Sequence, residues 1–104
     1  MRDIGRMMKQ VQKFQQDVAR LQEELKMERV EATAGGGVVK AVANGHGEMQ
    51  EITIDPSVVD PADVGMLEDL ILAAVNEVQR AAKRGAEERM KELTGGLQLP
   101  PGLI

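Results

Sequence analysis

Apolar residues recur along the N-terminal part of the chain at alternating intervals of three and four positions. This apolar stripe consists of Ile4, Met7, Val11, Phe14, Val18, Leu21 and Leu25. The spacing is that of the a and d positions of a coiled coil, and it predicts one helix from Met1 to about Lys26. At 1.5 Å per residue this helix is roughly 40 Å long, more than a small sheet can cover. An amphipathic helix on its own core is the alternative, since the stripe extends over only about three heptads.

The hydrophobic period changes after this helix. Three segments resemble strands, since they alternate apolar and polar residues or are rich in β-branched ones: "MERVEATA", "VVKAVAN" and "EMQEITI". Glycine-rich stretches separate them at residues 35–37 and 44–47. Glycine and asparagine adopt positive φ at low cost, which suits tight turns. The pattern predicts a three-stranded antiparallel meander.

A second long helix is predicted after the meander. Asp55 and Asp60 each precede a proline, and we interpret both as helix caps with proline in the first helical position. The helix is expected to run from about Asp63 to Leu93, where the following glycines stop it. Its apolar positions are Leu67, Leu70, Ile71, Ala74, Val78, Ala81, Ala82, Met90 and Leu93.

The elements together predict one α+β domain over residues 1–104, with a long helix, a β-meander and a second long helix. Residues from about 95 to 104 form a tail that ends in "LQLPPGLI". Pro100 and Pro101 prevent this tail from continuing the helix. Two interpretations stay open, a flexible end and a segment that docks on a partner.

The residues needed for catalysis are scarce. The chain has no cysteine and one histidine, His46, which lies between turn glycines, and its one serine, Ser57, follows a proline. The glycine-rich stretch "AGGGVVKAVANGHG" lacks the Gly-Lys pair of a phosphate-binding loop, so we interpret it as turns. We therefore expect no enzyme activity, cofactor, metal ion or small-molecule substrate.

The ends and apolar runs of the sequence bear on its location. The N-terminal residues "MRDIGRMMKQ" carry charges where a signal peptide has an apolar run. No apolar stretch approaches the ~20 residues that a membrane-spanning helix needs. We expect a cytoplasmic protein with no membrane contact.

Charge is unevenly distributed along the chain. The net charge is −4, from 13 basic and 17 acidic residues, and no basic residue occurs between Glu48 and Asp69. Basic residues concentrate on the two predicted helices instead. They are Arg2, Arg6, Lys9, Lys13 and Arg20 on the first helix, and Arg80, Lys83 and Arg84 on the last.

The two basic clusters are candidates for binding a polyanion. If the helices pack antiparallel, both clusters are expected on one distal arm, away from the acidic sheet. Solvated faces of two charged helices are the alternative. The chain has no Trp or Tyr, and Phe14 lies in the apolar stripe, so no aromatic platform for single-stranded bases is predicted. Contact with duplex phosphates is the form of nucleic-acid binding left open.

Several short segments, in this order and spacing, resemble the YbaB/EbfC family of bacterial nucleoid-associated DNA-binding proteins across nearly the whole chain. They are "MKQVQKFQ" (residues 8–15), "GGGVVKA" (35–41), "NG" (44–45), "IDPS" (54–57), "MLEDL" (66–70), "AAVNEVQR" (73–80) and "QLPPG" (98–102). The resemblance implies a non-enzymatic homodimer shaped like tweezers, whose helical arms project from a central sheet region and bind duplex DNA in the nucleoid. The alternative is a helical adaptor that binds a protein partner through the arms or the tail.

Overall fold

The computed structural model describes residues 2–95 of the chain. The order of elements is the predicted one, and the α+β class is confirmed. The elements are α1 (Arg2–Met27), β1 (Val30–Ala34), β2 (Val39–Ala43), β3 (Met49–Ile54), a 3-10 turn (Pro56–Val58) and α2 (Val64–Gly95). The predicted tail, beyond Gly95, lies outside the described residues.

The three strands form one antiparallel sheet in the order β1-β2-β3. Ala41 in the central strand lies opposite Ala32 on one side and Ile52 on the other. The turn between β1 and β2 contains three consecutive glycines with φ of 64°, 75° and 102°. Side chains other than glycine rarely adopt such angles, so the turn requires these residues. The predicted meander and its turns are confirmed.

The core lies between α2 and the first two strands. Val39, Ala41 and Ala43 of β2 are fully buried against Ala74 and Val78 of α2. Alanine side chains in both layers let the helix approach the sheet closely. The helix does not cover β3 to the same extent, so the apolar side chains of this edge strand stay partly exposed.

The two helices pack antiparallel over part of their length. Leu25 of α1 lines one groove with Lys83 of α2, and Asp17 lines another with Leu93. The antiparallel arrangement is as predicted, but the register is different. The C-terminal half of α1 contacts the C-terminal half of α2, because α2 reaches only the level of Asp17 when its described residues end.

The N-terminal half of α1 therefore extends beyond the body of the molecule. We call residues 2–16 of α1 the arm. The described chain measures 73 × 23 × 16 Å, with a radius of gyration of 19.9 Å. A compact domain of this size has a radius of gyration of about 13 Å.

The two aspartates predicted as caps have different roles. Asp55 caps the 3-10 turn by accepting a hydrogen bond from the Ser57 N–H at 2.9 Å, as predicted. This bond lowers the pKa of the Asp55 carboxyl. The prediction for Asp60 is wrong, because its carboxylate accepts from the Ala62 N–H within a turn. The cap of α2 is Asp63, which accepts from the Met66 N–H at 3.2 Å.

Neither helix within residues 2–95 has an apolar stretch capable of crossing a lipid bilayer.

Candidate nucleic-acid interface

Three of the predicted basic residues lie on the exposed surface of the arm. Arg6, Lys9 and Lys13 follow one another at intervals of three and four positions. At 3.6 residues per turn this places them on the side of α1 opposite the apolar stripe. Among the residues that the structure describes, none of the three has a carboxylate within ion-pair distance. We call this group the arm patch; the side chain of Arg2 lies outside the described part.

Arg20 lies beyond the arm, where α1 contacts α2. Its guanidinium is 2.9 Å from the Asp17 carboxylate and 3.8 Å from that of Glu24. Both acids are on the same helix, one turn away in either direction. The charge of Arg20 is therefore partly balanced before any ligand arrives.

The predicted basic residues of α2 form a separate group, the junction patch, made of Arg80, Lys83 and Arg84. Arg80 and Arg84 both bond to Glu77, at 3.0 and 3.3 Å. The hydrogen bond from Arg80, followed by that from Arg84, holds the pKa of the Glu77 carboxyl below its ordinary value. Two of the three junction side chains thus share one carboxylate within α2, which balances only one of their two positive charges.

The two patches do not share one arm, contrary to the prediction. Lys83 lines a groove with Gln22 and Leu25, at the C-terminal end of α1. Lys13 lies nine residues before Gln22, or about 14 Å along the helix axis. The antiparallel helices are offset along their axes. The N-terminal part of α2 packs on the sheet, and only its C-terminal turns contact α1.

His46 lies in the turn before β3 and is exposed, as predicted. Its Nε2 atom is 2.9 Å from the backbone oxygen of Gln22 in α1, so the ring donates this hydrogen bond and links the turn to the helix. That contact was not predicted, since it joins positions 24 residues apart. Within residues 2–95, no group of three or more potential ligands is arranged to hold a metal ion.

The outer face of the sheet carries paired charges. Arg29 bonds to Glu31 at 2.8 Å and to Glu51 at 3.2 Å, which spans all three strands. The hydrogen bond from Arg29 lowers the pKa of the Glu31 carboxyl, and the nearby charge of Lys40 lowers it further. Lys40 is thus a basic residue within an acidic surface, distant in sequence from both patches.

The ion pairs between these acids and the basic residues are what sequence analysis did not predict. Glu77 precedes Arg80 by three positions and Arg84 by seven, which places all three on one face of a helix. Asp17 precedes Arg20 by three in the same way. Counting these intervals is enough to find both sets of pairs in the sequence.

A family model described as the YbaB/EbfC DNA-binding family matches residues 1–97 of the chain. The chain belongs to this family. It is 55% identical over 98 residues to a nucleoid-associated protein of Pelotomaculum thermopropionicum, an alignment that covers 94% of this chain and 93% of that protein. It is 54% identical over 102 residues to a nucleoid-associated protein of Acetivibrio thermocellus, covering 98% and 90% of the two chains.

A solved structure supports the fold. The crystal structure of an uncharacterized protein from Helicobacter pylori matches with a TM-score of 0.73, over 82% of this chain and 89% of that one. The identity is 22%, so this likeness concerns the fold alone.

Proposed function

We propose that this protein is a non-enzymatic, nucleoid-associated protein of the cytoplasm that binds duplex DNA with low sequence specificity. In this proposal it acts as a homodimer, and Lys and Arg side chains of the helices contact phosphates. Such contacts release condensed counterions and carry no information about the base sequence. Membership of a DNA-binding family and the similarity to two nucleoid-associated proteins support the DNA-binding part.

The observation that carries the proposed site is the arm patch. Arg6, Lys9 and Lys13 lie on one exposed helix face without acidic partners among the described residues, so binding phosphate breaks no existing ion pair. In the junction patch, Arg80 and Arg84 already pair with Glu77, so each must weaken that ion pair in order to contact a phosphate. The arm patch is therefore the stronger phosphate-binding surface of the two.

The preference for duplex DNA rests on the absence of stacking residues. The chain has no Trp or Tyr. Phe14 is half-buried in the apolar stripe, where it is unsuited to stack on a base. Proteins that hold single strands use aromatic platforms for this purpose.

Uncovered apolar surface supports the homodimer. Ile52 on the edge strand β3 is partly exposed, and Leu72 on α2 is 60% exposed. Leu72 is on the β3 side of α2, because it lies about two helical turns from Gln79, which donates a hydrogen bond to the Gly47 oxygen just before β3. We propose this surface, formed by β3 and the adjoining side of α2, as the dimer interface.

Sedimentation tests the homodimer. We expect a dimer at micromolar concentration and dissociation in the Ile52→Lys variant, which places a charge in the proposed interface. Met27→Lys is the matched control, since Met27 is 83% exposed on another surface. A clean 11.3 kDa monomer for the unaltered chain would contradict the proposal.

Mobility shifts at two salt concentrations test DNA binding. The double variant Lys9→Glu with Lys13→Glu should weaken binding to unrelated duplexes alike. Each lost phosphate contact should flatten the plot of log affinity against log salt by roughly 0.9, and by more if both subunits contribute. Single-stranded DNA should bind more weakly than duplex.

Lys40→Glu is the control, since Lys40 lies on the sheet among acids. If Lys40→Glu abolishes DNA binding while the double variant of the arm retains it, DNA binds on the sheet and the proposed site is wrong. A protein partner recovered from cells without any measurable DNA shift would favour the helical adaptor instead.

A further inference from the structure

The arm has an apolar face that no described residue covers. Ile4, Met7, Met8 and Val11 line a shallow groove along it, and Met7 is 61% exposed. This face continues the stripe that α2 covers further along, where Leu21 and Leu25 are buried. Large uncovered apolar patches mark binding surfaces, so an occupant is expected.

The described part of α2 ends in line with this face. Leu93 borders Asp17 and Leu21, and the helix runs toward the N-terminal end of α1. Gly95, the last described residue, therefore lies near the Gln12 end of the uncovered groove. We propose that residues 97–104 of the same chain lie along the arm and cover its apolar face.

The chemistry of this segment fits the groove. Residues 95–104 contain no charged side chain. In an extended chain alternate residues share one face. Here Leu97, Leu99, Pro101 and Leu103 share that face, while the intervening positions hold Gln98, a proline and a glycine before Ile104. The segment thus presents a continuous apolar edge.

The length of the segment fits as well. From Gly95 to Ile104 an extended chain of this kind, at about 3.3 Å per residue, spans roughly 30 Å. From the level of Asp17, where Leu93 borders α1, to Ile4 at the far end of the groove is about 20 Å along the helix. The tail is thus long enough to cover the whole apolar face. In this position it is on the side of α1 opposite the arm patch, so the arm patch stays accessible to DNA.

Attachment favours this segment over a second molecule. A segment tethered by a short linker has an effective concentration in the millimolar range. A second copy at micromolar concentration competes poorly for the same groove. The proposal does not depend on DNA binding and concerns a different face of the arm.

Thiol cross-linking tests the contact directly, because the chain has no cysteine of its own. The double variant Val11→Cys with Leu99→Cys, at low protein concentration, should form an intramolecular link with a short thiol-specific reagent. Lys9→Cys with Leu99→Cys is the matched control on the opposite side of the helix, and it should link at background level. Equal yields in the two variants would overturn the proposal.

The same experiment distinguishes other occupants. Linked dimers formed on mixing the two single-cysteine variants, without an intramolecular product, would assign the groove to another subunit's tail. Linked dimers of Val11→Cys alone would assign it to a second copy of α1. Either result would overturn the proposal that the chain covers its own arm.

Hydrogen exchange gives an independent readout in the full chain. Leu99→Asp should accelerate amide exchange at residues 4–11 by roughly tenfold or more, the factor expected when one buried leucine is lost. Gln98→Asp is the control, since it adds the same charge on the other face of the extended segment. Unchanged exchange in Leu99→Asp would contradict the proposal.

Discussion

The two halves of α1 share one sequence pattern but differ in what surrounds them. In the C-terminal half, Leu25 is 3% exposed beneath the turn before β3. In the arm, Met7 belongs to the same stripe and is 61% exposed. The basic residues of the two halves differ as well, because Arg20 is paired with acids whereas the residues of the arm patch are not. A regular stripe identifies the apolar face of a helix, but the rest of the chain decides how much of that face is covered.

The largest effect is expected where the stripe is buried. Leu25→Ala should lower the free energy of unfolding by about 2–4 kcal/mol, because it removes a buried side chain and leaves a cavity. Urea denaturation followed by circular dichroism measures this. Met27→Ala, two positions away and exposed, should change stability by less than about 0.5 kcal/mol. Similar costs for the two variants would mean that α1 is not held to the body as described.

Gly45 tests how closely the two regions approach. A Cβ added at this position would lie 2.8 Å from the Leu25 backbone oxygen and 3.0 Å from its Cα atom. We expect Gly45→Ala to cost about 1–3 kcal/mol, as for other overpacked sites. Gly5→Ala in the arm, with no neighbouring atom within 4 Å, should not destabilise the protein. Thermal unfolding of both variants provides the comparison. An unchanged melting temperature for Gly45→Ala would contradict the close approach of the turn to α1.

Glu77 offers a way to make the junction patch resemble the arm patch. Glu77→Gln releases Arg80 and Arg84 from their shared partner, so duplex affinity should rise. The dependence of log affinity on log salt should steepen by roughly 0.9 for each arginine that gains a phosphate. Glu68→Gln is the control for net charge on the same helix. An equal gain in both variants, measured by mobility shift, would show that Arg80 and Arg84 do not contact DNA.

The smallest effect is expected at His46. Its ring links the turn to α1 through one exposed hydrogen bond, so His46→Ala should change stability by no more than about 0.5 kcal/mol. DNA binding should be unchanged, since the residue belongs to neither patch. Chemical denaturation and a mobility shift check the two statements. A large loss in either would reveal a larger role for the turn than its contacts indicate.

The fold was predictable because local signals agree with one another. The spacing of the stripe, the change to strand-like periods and the glycines at residues 35–37 each specify one element, and their order leaves one simple topology. The start of α2 was less certain, because Asp60 and Asp63 both have the chemistry of a cap. Only the hydrogen bond to the Met66 N–H distinguishes them.

The arrangement of the basic residues was only partly predictable. Which face of α1 carries Lys9 and Lys13 follows from helical periodicity. How far α2 extends beside α1 does not, since the offset depends on where Ala74 and Val78 pack on the sheet. That long-range contact separates the two patches, and no local pattern in the sequence contains it.

Arg89 bonds to both Glu24 and Glu28, and with Leu21 and Leu25 it fixes α1 to α2 at a short clamp. The arm extends from this clamp, so a small rotation at the clamp moves the far end of the arm by a larger distance. Leu21 and Leu25 are about 6 Å apart along the helix, whereas Arg6 lies about 22 Å beyond Leu21. A displacement of about 1 Å at one end of the clamp therefore moves Arg6 by roughly 4 Å. In the proposed homodimer, small adjustments around Arg89 would therefore change the distance between the tips of the two arms.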